Sequence, residues 1–304
     1  MLPRDNRYRP EVILLMDVLP LVAEERCFAL KGGTAINLFV RDLPRLSVDI
    51  DLAYVPVHDR ATSLDEVGNA LERIALSIER QAKNIRVDRI RAEGTVVKLM
   101  AWRGPVRVKI EVSPVLRGCV REPVVRGVCP SVEAEFGYIE APLLHHHDLY
   151  AGKLCAALDR QHPRDLFDVQ VLLEHEGITN ELFEVFLVYL LSSDHSLADM
   201  LAPARQPIAT VFEEQFRGMA LRPVTLEDLT QARETMIALV QTNLTERHRQ
   251  FLLTFKRGEP AWDLLGVPGA ADLPAVQWNL VNVRRMTSAK REQAVERLRR
   301  VLYG

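Results

Sequence analysis

Cysteine is scarce in this sequence, and Cys27, Cys119, Cys129 and Cys155 lie far apart. Without any Cys-x-x-Cys spacing there is no basis for a zinc cage and little for a disulfide framework, so reduced thiols, two of them buried, are expected. Long apolar runs are missing as well. A membrane-spanning helix needs about eighteen such residues; Val12 to Val22 is broken by Asp17 and Pro20, and Val185 to Leu191 is too short. The amino terminus, MLPRDNRYRP, is charged and contains proline where a secretory signal would be apolar. A soluble, cytoplasmic protein with no membrane partner is the expectation. Nor is one sign of charge in excess: Lys+Arg 39 stand against Asp+Glu 41. No global field then recruits nucleic acid, and any polyanion site must be a local patch.

What is present is an ordinary globular composition. The chain has 304 residues, 48% of them hydrophobic, enough for two modest domains with real cores. Up to about Leu172 helical and strand patterns alternate, and beyond it apolar residues fall at helical spacing. The fold class expected is α+β: a core over residues 1–142, made of a mixed sheet with flanking helices, followed by a helical domain over 143–304.

Within the first part, Glu11 to Glu25 reads as a helix and Cys27 to Leu30 as a short strand ending at Lys31-Gly32-Gly33. Thr34 opens a second helix, and Leu64 to Asn84 a long amphipathic one. Ile85 to Arg91, Thr95 to Trp102 and Val106 to Val112 read as strands, the last two joined by a turn at Arg103-Gly104-Pro105. Val115 to Val120 and Val124 to Cys129 echo each other as two arms of a ribbon or loop. Helices are expected at Leu143 to Leu158, Asp165 to His175, Asn180 to Leu191, Thr225 to Leu244, Glu246 to Arg257 and Ser288 to Leu302. An irregular Gly-, Pro- and Trp-containing stretch separates the last two, with Trp262 and Trp278 as packing anchors.

The chemistry concentrates in Ser47 to Tyr54. On a strand, Val48, Ile50 and Leu52 share one face while Asp49 and Asp51 share the other. Two carboxylates on one side can hold one or two divalent cations, as metal-assisted phosphoryl transfer requires. Glu111 is the candidate third metal ligand, because Val106, Val108, Ile110 and Val112 point one way and Arg107, Lys109 and Glu111 the other. Lys109, on that same side, could replace or counter it. The Gly32-Gly33 turn lets backbone N–H groups approach a phosphate at the start of a helix, and Thr34 can add a hydroxyl.

Lys-Gly-Gly, then fifteen residues from Thr34 to Val48, then Asp-Ile-Asp, resembles the signature of the DNA-polymerase-β-type nucleotidyltransferase superfamily. Arg45-Leu-Ser47-Val-Asp49-Ile-Asp51-Leu is similar to one branch of it, the AbiEii-like toxins, which include the mycobacterial MenT-type toxins. Lys153-Leu-Cys-Ala-Ala-Leu-Asp-Arg160 followed by Arg164-Asp165-Leu-Phe-Asp168 resembles the Lys…Arg…Arg-Asp-x-x-Asp motif of that branch, and Gly258 to Trp262 with Leu273 to Trp278 resembles its C-terminal part. The resemblance implies an enzyme of a bacterial toxin–antitoxin system that transfers NMP from an NTP to an RNA acceptor, the tRNA 3′ end, with Mg²⁺ or Mn²⁺ as cofactor and an antitoxin encoded nearby as partner. It implies a triphosphate contact for Lys153, with Arg160 binding alongside, a place beside the phosphates for Ser47, and an organising or basic role for Asp165 or Asp168. It also implies that the helical part closes the strand-borne site. Spacing agrees for one part of this: Lys153 and Arg160 lie about two helical turns apart, and Asp168 one turn beyond Asp165.

Plainer readings stand beside these. Asp49 and Asp51 could line a solvated strand face, Lys153 could be a surface lysine, Asp165 a helix cap, and Asp168 a partner of Arg164. His145-His146-His147 points its rings about 100° apart on a helix and suits a polar helix start better than one metal ion. Arg117, Arg121 and Arg126, and the tail cluster Arg284, Arg285, Arg297, Arg299 and Arg300, could grip an RNA backbone or merely be solvated. Two other functions remain open: transfer to a small molecule such as an aminoglycoside or to a protein hydroxyl, and a non-catalytic binding module on the same fold.

Overall fold

A computed structural model describes residues 6–193 and 195–304. The first half of the charged amino terminus, residues 1–5, lies outside the described residues, as do the side chains at 114–116, the last two of them in the first of the two echoing segments. The chain divides into two compact units, Met1–Leu149 with Phe216–Pro223, and Tyr150–Gln215 with Val224–Gly304.

The first unit is built on a seven-stranded mixed sheet. In chain order its elements are α1 (Arg9–Ala23), β1 (Phe28–Lys31), α2 (Gly32–Ala35) running on into a π-helical turn Ile36–Val40, β2 (Asp49–Tyr54), α3 (Arg60–Gln81), β3 (Arg86–Ala92), β4 (Thr95–Arg103), β5 (Val106–Arg117), β6 (Val124–Gly127), α4 (Pro130–Phe136) and β7 (Glu140–Leu143). The strands lie in the order β3-β4-β5-β2-β1-β7-β6. β2 is central, antiparallel to β1 and parallel to β5. Strand alternation holds as expected: Ile50, Leu52, Leu99, Val108 and Ile110 are buried, and α1 and α3 pack on this sheet. Val12, Leu15 and Leu19 of α1 and Leu71, Ile74 and Ile78 of α3 complete that core. Burying each such side chain contributes about 1.5–3 kcal/mol, so the register that sends Asp49 and Asp51 to the opposite face is firmly set.

The two echoing segments are not arms of one ribbon. The first continues β5, while Val124–Gly127 pairs antiparallel with β7, a strand whose four residues are too few for their alternation to stand out in the sequence.

The second unit is helical: the greater part of α5 (His146–Arg160), then α6 (Pro163–His175), α7 (Asn180–Leu191), α8 (Leu197–Leu201), α9 (Ala209–Val211) with a π-helical turn Phe212–Phe216, α10 (Leu226–Asn243), α11 (Glu246–Arg257), α12 (Pro274–Arg285) and α13 (Ser288–Tyr303). Thr225 and Thr245 close capping boxes at α10 and α11, and Gly258 ends α11 in the left-handed region with φ 90°. α7 is buried on nearly every side from Leu182 to Leu191 and forms the centre of this core. The stretch expected to be irregular contains α12, opened by Pro274 at its first turn. Trp262 packs on Phe251 and Phe255, with ring centroids 5.6 and 6.2 Å away. Trp278 is no anchor, for 53% of it is exposed.

Of the four thiols only Cys129 is classed as buried, and all four are free. Burial pushes Cys27 up to about 11 and Cys119 up to about 12, so both are protonated and weakly nucleophilic at neutral pH. Among the described residues no helix is long and apolar enough to cross a membrane.

Candidate active site and its family

In the first unit, the glycine turn and the carboxylate strand are fitted to each other atom by atom. Gly32 has φ +71°, and a Cβ there would lie 2.6 Å from Asp51 Oδ2. Only glycine satisfies both conditions. A Cβ on Gly33 would meet Arg45 Nη2 at 2.6 Å and Ser47 Oγ at 3.0 Å. The turn therefore sits directly against the aspartate strand on one side and the Arg45–Ser47 segment on the other.

Thr34, 1% exposed, ties these parts together: its hydroxyl donates to the Asp49 carbonyl, and its oxygen is 2.9 Å from Ser47 Oγ. The hydroxyl expected to meet a phosphate is thus engaged in fixing Ser47 and the start of β2. Arg45 is 2% exposed; its Nη1 donates to the Leu46 carbonyl over 2.8 Å, and its backbone bridges to Ala220. In the sequence Arg45 stands out only as part of a motif. The signal for its role, a lone arginine two residues before Ser47, becomes readable only when Gly33 is seen to leave room for it.

Asp51 pairs in register with Glu111, and Asp49 with Lys109. Glu111 is held by two ammonium groups, Lys98 at 2.8 Å on Oε1 and Lys109 at 2.7 Å on Oε2. Burial pushes its carboxyl up, but the hydrogen bonds from Lys109 and Lys98 outweigh this and hold it below the usual range. Burial likewise lowers Lys109, and Glu111, Asp49 and Asp51 more than reverse it. Lys109 therefore counters Glu111 as its strand position allows. Lys98 carries no signal in the sequence, since a lysine on an outward strand position looks like any solvated one.

The donor chemistry suits a divalent cation in part. Magnesium is commonly held through one or two carboxylates, with substrate phosphates and water supplying the rest, and Asp49 and Asp51 provide such a pair on one face. Among the described residues no group of three or more His, Cys, Asp or Glu side chains is disposed to hold a metal. For Glu111 to join as a third ligand it must exchange its lysine contacts. His145 and His147 stack edge-on, 4.9 Å between centroids, at the start of α5.

The second unit gathers the other motif. Lys153 Nζ donates to Asp165 Oδ1 over 2.7 Å and lies 3.0 Å from Asp168 Oδ2, while Arg160 Nε donates to Asp165 Oδ2 over 2.6 Å. Lys153, Asp165 and Asp168 are at most 6% exposed; Arg160 alone reaches solvent. Burial pushes the Asp165 carboxyl up, and Lys153 and Arg160 outweigh that and hold it far below the ordinary range. Asp165 is therefore a weak proton acceptor and a strong positioner of Lys153. Gln161 makes the turn between the two helices. It has φ +49°, is fully buried, donates to the Ala204 carbonyl and accepts from Gln206 N and Arg233.

Residues 13–280 match the family described as nucleotidyl transferase AbiEii toxin, type IV toxin–antitoxin system. The chain belongs to that family. It is accordingly a nucleotidyltransferase toxin of a type IV system, with an NTP substrate and an antitoxin partner implied by membership. MenT4, a nucleotidyltransferase toxin from Mycobacterium tuberculosis H37Rv, shares the fold with a TM-score of 0.62 at 13% identity, over 92% of this chain and 95% of that one. Terminal uridylyl transferase 4 from Trypanosoma brucei, solved with bound dUTP, aligns at 11% identity over 98% and 92% of the two chains, with a TM-score of 0.30, too low to carry an argument. No curated protein matches in sequence.

Proposed function

We propose that this toxin transfers a nucleoside monophosphate from an NTP to an RNA acceptor, the 3′ end of tRNA, releasing pyrophosphate. The observation that carries the transfer chemistry is the approach of the Gly32 backbone to Asp51, close enough that a Cβ would lie 2.6 Å from the carboxylate oxygen. Such an approach sets backbone donors for phosphate beside an acid pair. RNA as the acceptor rests on the family resemblance, together with the local basic character described below.

In this reading Gly32 and Gly33 bind phosphate through main-chain N–H groups. Thr34 and Arg45 hold Ser47 and β2 in place, with Ser47 beside the phosphates. Asp49 and Asp51 would hold Mg²⁺ or Mn²⁺. Such an ion, when bound, neutralises the triphosphate and lowers the pKa of the attacking hydroxyl. Glu111 would be the third ligand on releasing Lys98 and Lys109, and those lysines would then be free to face the anionic substrate. The family resemblance assigns Lys153 the compensation of charge developing on the departing pyrophosphate, with Arg160 as a second cation, and within the helical unit Asp165 and Asp168 position Lys153.

Incubation with α-labelled NTPs, magnesium and total tRNA should place label on RNA. Asp49→Asn and Asp51→Asn should each lower transfer by at least about 100-fold and relieve growth inhibition on expression. Label appearing on protein or on an aminoglycoside while RNA stays unlabelled would replace the RNA reading by one of those acceptors. Undiminished toxicity of both variants would replace it by a binding module.

A further inference from the structure

The helices of the first unit pack on one face of β3, β4 and β5, where Val87, Leu99, Ala101, Val108 and Ile110 are buried. The other face, the one that carries Asp49 and Asp51, is different. Register aligns Arg86 with Trp102 and Trp102 with Arg107, then Asp88, Met100 and Lys109, then Ile90, Lys98 and Glu111. The last row continues into Asp51 and the middle one into Asp49. The face is thus one surface running from β3 to the carboxylates. Arg86, Asp88, Ile90 and Arg107 are exposed, and Lys98, Met100, Trp102, Lys109 and Glu111 are partly so.

Its chemistry is that of a polyanion platform rather than of an ordinary solvated sheet. Ahead of Asp49 and Asp51, which close its far end, the four cations Arg86, Lys98, Arg107 and Lys109 face the two acids Asp88 and Glu111, Arg86 pairing with Asp88 and both lysines with Glu111. At the centre of its outer row stands Trp102, with the guanidinium carbons of Arg86 and Arg107 each 5.7 Å from the ring centroid. Its indole N–H is buried and has no hydrogen-bond partner among the described residues, so the ring meets a ligand through its exposed part and not through that donor. Met100 adds apolar area in the next row and Ile90 in the row beyond it. Cations that track phosphates, combined with an aromatic and apolar surface that meets bases, are the means by which sheets bind unpaired strands. A duplex turns its bases inward and offers such a surface only phosphates.

We propose that this face binds the single-stranded end of the acceptor RNA and leads it to Asp49 and Asp51. The inference rests on the RNA reading above and specifies where that RNA lies. Trp102 and the flanking Arg86 and Arg107 take a base and its phosphates. Lys98 and Lys109 continue the track, one β-strand run of about 13 Å further along, to the carboxylates.

The test is fluorescence anisotropy with a labelled oligouridylate of ~12 nucleotides and a duplex of the same length, without NTP, on the full chain. Wild type should prefer the single strand. Trp102→Leu, which keeps apolar bulk, should weaken single-strand binding by roughly 5- to 150-fold, with Trp102→Phe close to wild type. Arg86→Gln with Arg107→Gln, both at exposed positions, should reduce the dependence of log Kd on log salt by about 1.4. Asp49→Asn should bind like wild type while failing to transfer. Unchanged affinity and salt slope in both the tryptophan and the arginine variants would overturn the platform, as would preference for the duplex; a face meant for a protein partner gives the first of these results. If such variants still label RNA at the wild-type rate, the transferase reading stands without the platform. If wild type binds no oligonucleotide but labels another acceptor, the RNA reading falls and the platform with it.

Discussion

At the residue scale, the site depends on what is omitted as much as on what is present. Gly32 has no side chain because Asp51 occupies the space, and a substitution there acts twice. Gly32→Ala places an L-residue at φ +71°, which costs about 1–2 kcal/mol, and it pushes Asp51 off its position. Gly104 is the control, with φ +59° and nothing within 4 Å of the point where a Cβ would stand. Both alanine variants should show a similar small fall in Tm, and only Gly32→Ala should lose transfer, by at least about 100-fold. Equal activity of the two would mean that the contact with Asp51 is unimportant. The buried Lys153 group makes a pH prediction. Because the folded-state pKa of Asp165 is held below its unfolded value, its contribution to stability is present above about pH 4 and is lost as pH falls further. Urea midpoints measured from pH 7 down to pH 3 should fall in wild type, and less so in Asp165→Asn, which should itself be about 3–5 kcal/mol less stable at pH 7 because Lys153 loses a buried partner.

At the scale of elements, the sheet and the helix pair use opposite strategies to bring charges together. β2 needs only alternation: once Ile50 and Leu52 are buried, Asp49 and Asp51 must share the other face. α5 and α6 need a specific turn. Gln161 supplies it with a left-handed backbone and with hydrogen bonds to Ala204, Gln206 and Arg233. Without it Lys153 and Asp165, twelve positions apart, have no reason to meet. Gln161→Gly keeps the backbone conformation but removes the hydrogen bonds. Thermal unfolding should register a loss of about 1–3 kcal/mol. A Tm within error of wild type would show that the turn is held by other contacts. The same comparison explains what was legible in the sequence. Alternating strands and amphipathic helices such as Glu246–Arg257 could be read directly, whereas β7, with four residues, and α12, inside a Gly- and Pro-containing stretch, could not.

At the scale of the whole molecule, chain order and compact units do not coincide. Phe216–Pro223 belongs to the first unit, where Leu46 N donates to the Met219 carbonyl, Leu221 N to the Pro44 carbonyl, and Asn6 to the Gly218 carbonyl. These contacts steady the Arg45–Ser47 segment beneath the glycine turn. A fragment ending at residue 149 leaves their partners exposed. Expressed alone, it should melt less cooperatively than the full chain by circular dichroism, and a fragment that folds with the full-length Tm would show this segment to be dispensable. The sequence by itself determined the α+β class, the Gly32-Gly33 turn, the shared face of Asp49 and Asp51, and the outward position of Glu111, because each follows from backbone geometry and local periodicity. Tertiary structure alone decided that Lys98 joins Lys109 on Glu111, that Arg45 fills the space Gly33 leaves, that Lys153 is buried between two aspartates, and that Arg86 shares a row with Trp102 and Arg107. Those are contacts between distant positions, set by strand register and by a turn at Gln161, and no pattern within a short window encodes them.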